Sequence, residues 1–238
     1  MAGPDLVVRG GKIADGTGSD LFVGDVAIDG GRIVEVGHVE ATGREEIDAT
    51  GMLVTPGFVD IHTHYDGQAV WDNHLAPSSW HGVTTAVMGN CGVGFAPVRA
   101  QDHDRLIELM EGVEDIPGAA LHEGLDFRWE SFDDYLSVIE QRARDIDLCA
   151  QLPHGPLRVY VMGERAAHNE MATPKDVEQM RALTAEAIRA GALGFTTTRS
   201  LNHRTVKGDY TPTLRAAADE LKGIALGLKD AGAGVLQM

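Results

Sequence analysis

Pro56-Gly57-Phe58-Val59-Asp60-Ile61-His62-Thr63-His64-Tyr65-Asp66 is the stretch on which the reading of this chain turns. Its apolar first half predicts a strand over residues 58–63. Side chains alternate faces along a strand, so His62 and His64 are expected to point the same way. They would stand at the strand's C-terminal end, where parallel α/β folds assemble their sites. Two imidazoles one strand step apart can share a metal ion. A hydrogen-bonded surface pair is the plainer alternative, and the apolar strand in front of the pair speaks against it.

Strands and helices alternate downstream of this stretch. Residues 83–88, 148–152 and 192–197 read as further strands, and a last apolar run occupies 234–238. Residues 101–111 carry Leu106, Ile107 and Met110 at helical spacing. Ser131 and Thr173 are helix starts, the second reinforced by Pro174 at the first helical position. A final helix is expected from about 212 to 231. Alternation of this kind means a parallel α/β fold. Five strands, the last reaching the chain's final residue, leave an open doubly wound sheet or the front part of a (β/α)8 TIM barrel, which takes eight strands and about 250 residues.

Upstream, the pattern is different. Residues 5–8, 22–28 and 32–36 read as short strands, and Asp29-Gly30-Gly31-Arg32 as a hairpin turn. This gives a small β-domain over residues 1–55, too small to bury a core alone, followed by an α/β domain over 56–238.

Composition excludes several classes. Glycine, at 29 of 238 residues, signals many tight turns, while 43% hydrophobic and 24% charged residues are ordinary globular values. The net charge of −16 would repel phosphate backbones and argues against nucleic acid. No run approaches the ~20 apolar residues that span a bilayer, and the first residues do not look like a signal peptide. A cytoplasmic protein without membrane partners is the expectation. Cys91 and Cys149 make no disulfide framework.

The second chemical signal is Met88-Gly89-Asn90-Cys91-Gly92-Val93-Gly94, after the second α/β strand. Glycines around Cys91 allow unusual backbone angles and close approach. Cys91 is either an inert buried thiol or a third ligand beside His62 and His64; Cys149, inside an apolar run, is read as packing. His154 and Arg199 follow the third and fourth strands, on the rim where substrate would bind. Arg199 could pair with a substrate carboxylate or with a structural one. His81 and His103 are read as solvated, His168 and His203 as partnerless loop residues, and the acidic stretch 108–115 as a solvated helix end.

Together, the β-rich start, the Pro-Gly-Phe-Val-Asp-Ile-His-Thr-His motif and Gly-Asn-Cys-Gly followed by Ala96-Pro97 resemble the metal-dependent amidohydrolase superfamily, in its D-aminoacylase (N-acyl-D-amino-acid deacylase) branch. The resemblance implies the N-terminal portion of such a protein. It implies Zn2+ held by His62, His64 and Cys91, and hydrolysis of the linear amide of small-molecule N-acyl-D-amino acids. The family's other two histidine ligands and its catalytic aspartate have no match here; the base is expected beyond Met238. Strands from that further chain would complete the small β-domain. The open sheet edges predict self-association, and the isolated chain could be inactive. A cyclic-amide hydrolase of the dihydropyrimidinase type, with a carboxylated lysine, is the rival reading. Lys175, Lys222 and Lys229 fall on helices and Lys207 in a loop, which disfavours it. A non-catalytic fragment with an incomplete metal site is the rival from another class.

Overall fold

The computed structural model describes residues 3–238 and divides into two compact units, one ending at Gly57 and one running from Phe58 to Met238. The first is a sheet of five strands, β1 (Leu6–Ile13), β2 (Phe22–Asp29), β3 (Arg32–Gly37), β4 (Glu45–Asp48) and β5 (Leu53–Val54). β1 pairs antiparallel with β2 and parallel with both β4 and β5. Gly30 and Gly31 close the β2–β3 hairpin with φ of 56° and 72°, the left-handed pair that a tight two-residue turn demands. The sequence pattern shows β1, β2 and β3. It misses β4, whose Glu45-Glu46-Ile47-Asp48 is exposed throughout and carries no alternation to read.

In the second unit, β6 (Phe58–Asp60), β7 (Val83–Met88) and β8 (Asp147–Ala150) form one parallel sheet. β9 (Leu152–Pro153), β10 (Gly194–Thr196) and β11 (Val235–Gln237) form another. β8 and β9 are two halves of one strand, interrupted at Gln151. The Gln151 N–H still donates to Met88 O at 2.9 Å, and Leu193 N–H to Ala150 O at 2.8 Å. Five parallel strands therefore follow one another in chain order, with β6 and β11 at the two edges. The sheet is open, and no closed barrel is present among the described residues.

The helices are α1 (Gln68–Trp71), α2 (His103–Glu114), α3 (Gly118–Gly124), α4 (Phe132–Glu140), α5 (His154–Met162), α6 (Glu164–Ala167), α7 (Pro174–Ala190) and α8 (Ala218–Ala231). Ser131 and Thr173 cap α4 and α7 through reciprocal capping boxes with Asp134 and Asp176. Apolar faces of α2, α4, α5, α7 and α8 meet β7 to β10 in one core that includes Leu106, Met110, Tyr135, Leu152, Phe195 and Ile224.

Two expectations are corrected. The strand expected over 58–63 stops at Asp60, so His62 and His64 stand on the loop beyond it. The last helix begins at Ala218 rather than near Pro212. Pro212 O is held by Arg158 Nη1 at 2.7 Å and Thr213 Oγ1 donates to Thr198 O at 2.9 Å. These tertiary bonds keep the segment before Ala218 as turns.

Candidate metal centre

The end of β6 is stapled to the end of β7. Thr63 donates to Val87 O through its N–H (2.9 Å) and its hydroxyl (2.8 Å). Asn90, fully buried, donates from Nδ2 to Thr63 O (2.9 Å) and Val87 O (2.8 Å), and its Oδ1 accepts from Gln151 Nε2 (3.0 Å). The His62-Thr63-His64 loop is thus fixed by backbone contacts rather than by strand parity. The two rings meet edge to face with centroids 5.5 Å apart.

Gly89, Cys91 and Gly92 all take left-handed backbone angles, with φ of 83°, 54° and 68°. A Cβ on Gly89 would lie 2.1 Å from Gln151 O, so only glycine fits there. Cys91 pays the steric penalty of that conformation, a kind of strain that clusters at functional sites. The turn places Cys91 Sγ 3.3 Å from His62 Nε2. Ligand atoms of His62, His64 and Cys91 all lie within 4.8 Å of one another.

The donor set suits a borderline-soft divalent ion: two imidazoles and a thiol. His64 Nδ1 is buried and has no hydrogen-bond partner. Burial, with His62 and His203 nearby, pulls the His64 pKa down to about 4, which keeps the ring neutral and able to bind metal. Burial, and the neighbouring Glu114 and Asp66 carboxylates, push the Cys91 thiol up, and a bound metal would draw off its proton. Asp66 is buried too and, chiefly for that reason, raised to about 7.

Other candidates fall differently. Arg199 is exposed just past β10, with no hydrogen bond or ion pair from its guanidinium among the described residues. His154 is not on an open rim: it is wholly buried at the start of α5. Its Nδ1 lies 2.8 Å from Thr197 Oγ1 and its Nε2 3.0 Å from Glu220 Oε1, so no polar atom is left for a substrate. The acidic stretch 108–115 is no simple solvated end. Glu114, half-buried, sits 3.3 Å from His64 Nε2, and burial followed by Asp115 raises its carboxyl to about 7. His203 is close enough to His64 to lower its pKa. Neither residue carries a local sequence signal, since each reaches the site through a loop or a helix end far along the chain. Cys149 lies half-buried in β8. Lys175, Lys222 and Lys229 lie on α7 and α8, and Lys207 pairs with Glu108 at 2.5 Å, so none is a carboxylated metal ligand.

A match to the Amidohydrolase family spans residues 45–238. The chain belongs to that family. N-acyl-D-aspartate deacylase of Alcaligenes xylosoxydans xylosoxydans is 33% identical over 91% of this chain and 39% of its own length. A crystal structure of D-aminoacylase, described as defining a novel subset of amidohydrolases, superposes with a TM-score of 0.78 at 30% identity, over 98% of this chain and 44% of the other. N-acyl-D-glutamate deacylase from Bordetella bronchiseptica, solved with zinc and a phosphonate mimic of the tetrahedral intermediate, gives 0.72 at 27% identity, over 96% and 43%. Within the family, the chain groups with the D-aminoacylases, and it spans about two fifths of the length of the relatives it matches.

Proposed function

We propose that this chain carries the metal-binding front part of a zinc-dependent amidohydrolase that removes the acyl group from N-acyl-D-amino acids. The supporting observation is the convergence of His62, His64 and Cys91 ligand atoms within 4.8 Å, together with deacylase relatives on either side of 30% identity. A zinc ion in such a site supplies Lewis acidity toward an amide carbonyl and lowers the pKa of water to about 7. The chain's own residues hold and orient. Asn90 and Thr63 fix the histidine loop, and the left-handed turn presents Cys91. Arg199 offers a free guanidinium to the substrate carboxylate, which it can grip with two parallel bonds.

The succession of five parallel strands in chain order supports reading them as the first five of a (β/α)8 barrel. Exposed Phe58, Val59 and Ile61 at one edge, and Val235 and Leu236 at the other, are surfaces for further strands or for a second copy of the chain. With both edges open, residues 1–238 alone should deacylate poorly and self-associate. The test pairs zinc titration with deacylation assays on N-acetyl-D-amino acids. Stoichiometric zinc with slow turnover fits the reading. Absence of zinc binding in the wild type, or turnover that Cys91→Ala leaves untouched, refutes it.

A further inference from the structure

We propose that Thr196, on β10, is a positioning residue for Cys91: its one hydroxyl ties together both ends of the turn that presents the sulfur. The inference rests on the reading of Cys91 as a metal ligand. Thr196 Oγ1 accepts the Gly92 N–H at 3.1 Å and donates to Gly89 O. Those two backbone groups flank Asn90 and Cys91, and Thr196 itself is wholly buried. A hydroxyl donates and accepts at a single atom, so threonine or serine can make both bonds where valine makes neither. Gly89 and Gly92 are buried as well. A valine in place of Thr196 would strand an N–H and a carbonyl away from water.

The turn needs such a hold. Cys91, at φ of 54°, is strained, and a strained residue stays so only where its surroundings over-determine it. Val93 N–H closes the turn on Asn90 O at 3.1 Å, and the Asn90 side chain fixes it to the histidine loop. Thr196 adds a hold from β10, whose Gly194, Phe195 and Thr196 offer no imidazole, thiol or carboxylate. The packing there is close. A Cβ on Gly92 would lie 3.1 Å from Thr197 Cα, and one on Gly155, in α5, 2.8 Å from Gly92 O. So confined, the turn keeps Cys91 Sγ 3.3 Å from His62 Nε2.

The experiment compares the 238-residue chain with Thr196→Val, Thr196→Ser and Thr197→Val. Thr197→Val removes another buried hydroxyl, one that meets His154 instead of the turn, and so controls for stability alone. In the metal-free protein, amide exchange at Gly92 should be slow in the wild type and in Thr196→Ser. It should be about 10-fold faster in Thr196→Val. Zinc affinity, measured by competition with a chromogenic chelator, should fall about 10–100-fold in Thr196→Val and stay near wild type in the other two variants. The sulfur-to-cobalt absorption of the Co2+-loaded protein should shift or weaken in Thr196→Val alone. Wild-type affinity or unchanged cobalt bands in Thr196→Val overturns the proposal, as does an equal loss in Thr197→Val. Should Thr196→Val not fold, Gly92 exchange in the wild type and Thr196→Ser decides: protection in both supports the proposal, and rapid exchange in either overturns it. Failure of the ligand reading itself looks different: Cys91→Ala would bind zinc as tightly as the wild type.

Discussion

Two polar clusters stand at the C-terminal ends of the parallel strands, and they are finished in opposite ways. In one, Arg158, His154, Glu220 and Thr197 are all almost fully buried. Arg158 donates to Glu220 from Nε (2.6 Å) and Nη2 (3.2 Å), and to the carbonyls of Pro212 and Glu170. Burial pushes the Glu220 carboxyl up, but hydrogen bonds from His154 and Arg158 outweigh it and leave it below its ordinary range. Nothing is left over for a ligand. In the other cluster, His64 Nδ1, Asp66 Oδ2 and His203 Nδ1 are buried without partners, and Cys91 sits in a conformation that L-residues avoid. The first cluster ties strand ends to helices; the second leaves polar atoms beside the candidate ligands without a protein partner. A polar group's partners, more than its burial, separate structure from function here.

The sharpest way to break this contrast is Arg158→Met. It strands Glu220 as an unpaired buried charge and should cost about 3–5 kcal/mol in chemical denaturation. Adding Glu220→Leu should recover part of that. Zinc affinity of the protein that remains folded should be unchanged, and a large loss would merge the two clusters into one. Next, Asn90→Ala removes the side-chain bonds to Thr63 O and Val87 O and leaves the two Thr63 bonds to Val87 O in place. It should cost about 1–3 kcal/mol and weaken zinc binding as well, because loop geometry and ligand geometry are the same thing.

Cys91→Gly should act in opposite directions on the two properties. Relief of the left-handed backbone should stabilise the metal-free fold by about 1 kcal/mol, while zinc binding drops sharply with loss of the thiolate. A Cys91→Gly protein less stable than the wild type in the absence of metal would assign the thiol to packing. The smallest effect belongs to a site outside both clusters. Asp176, beside Arg165 and capped to Thr173, has its pKa lowered to about 2, first by the Arg165 hydrogen bond. Its contribution is therefore complete above the ordinary carboxylate pKa near 4 and is lost as pH falls toward 2. Asp176→Asn should cost about 1 kcal/mol at neutral pH, with the difference shrinking as the pH falls through 2.

What could be read from the chain follows the reach of each signal. The five parallel strands, the capped helices at Ser131 and Thr173, and the glycine hairpin at Asp29 to Arg32 are local patterns, and all are present. His62, His64 and Cys91 were legible as a group because motif and strand ends coincide. Strand parity does not orient the histidine pair: the strand ends at Asp60, and Asn90 and Thr63 do the orienting. Glu114 and His203 were out of reach because a helix end and a distant loop bring them in. His154 looked available for a substrate because its sequence position says nothing of Glu220, 66 residues away. Long-range pairing of polar side chains leaves no periodicity to read.

The most direct test of the central claim is X-ray absorption at the zinc edge of the zinc-loaded chain, wild type against Cys91→Gly. One sulfur at about 2.3 Å with nitrogen or oxygen neighbours at about 2.0–2.1 Å is expected in the wild type, and no sulfur in the variant. A wild-type spectrum without a sulfur shell, or a sulfur that survives removal of Cys91, would contradict it.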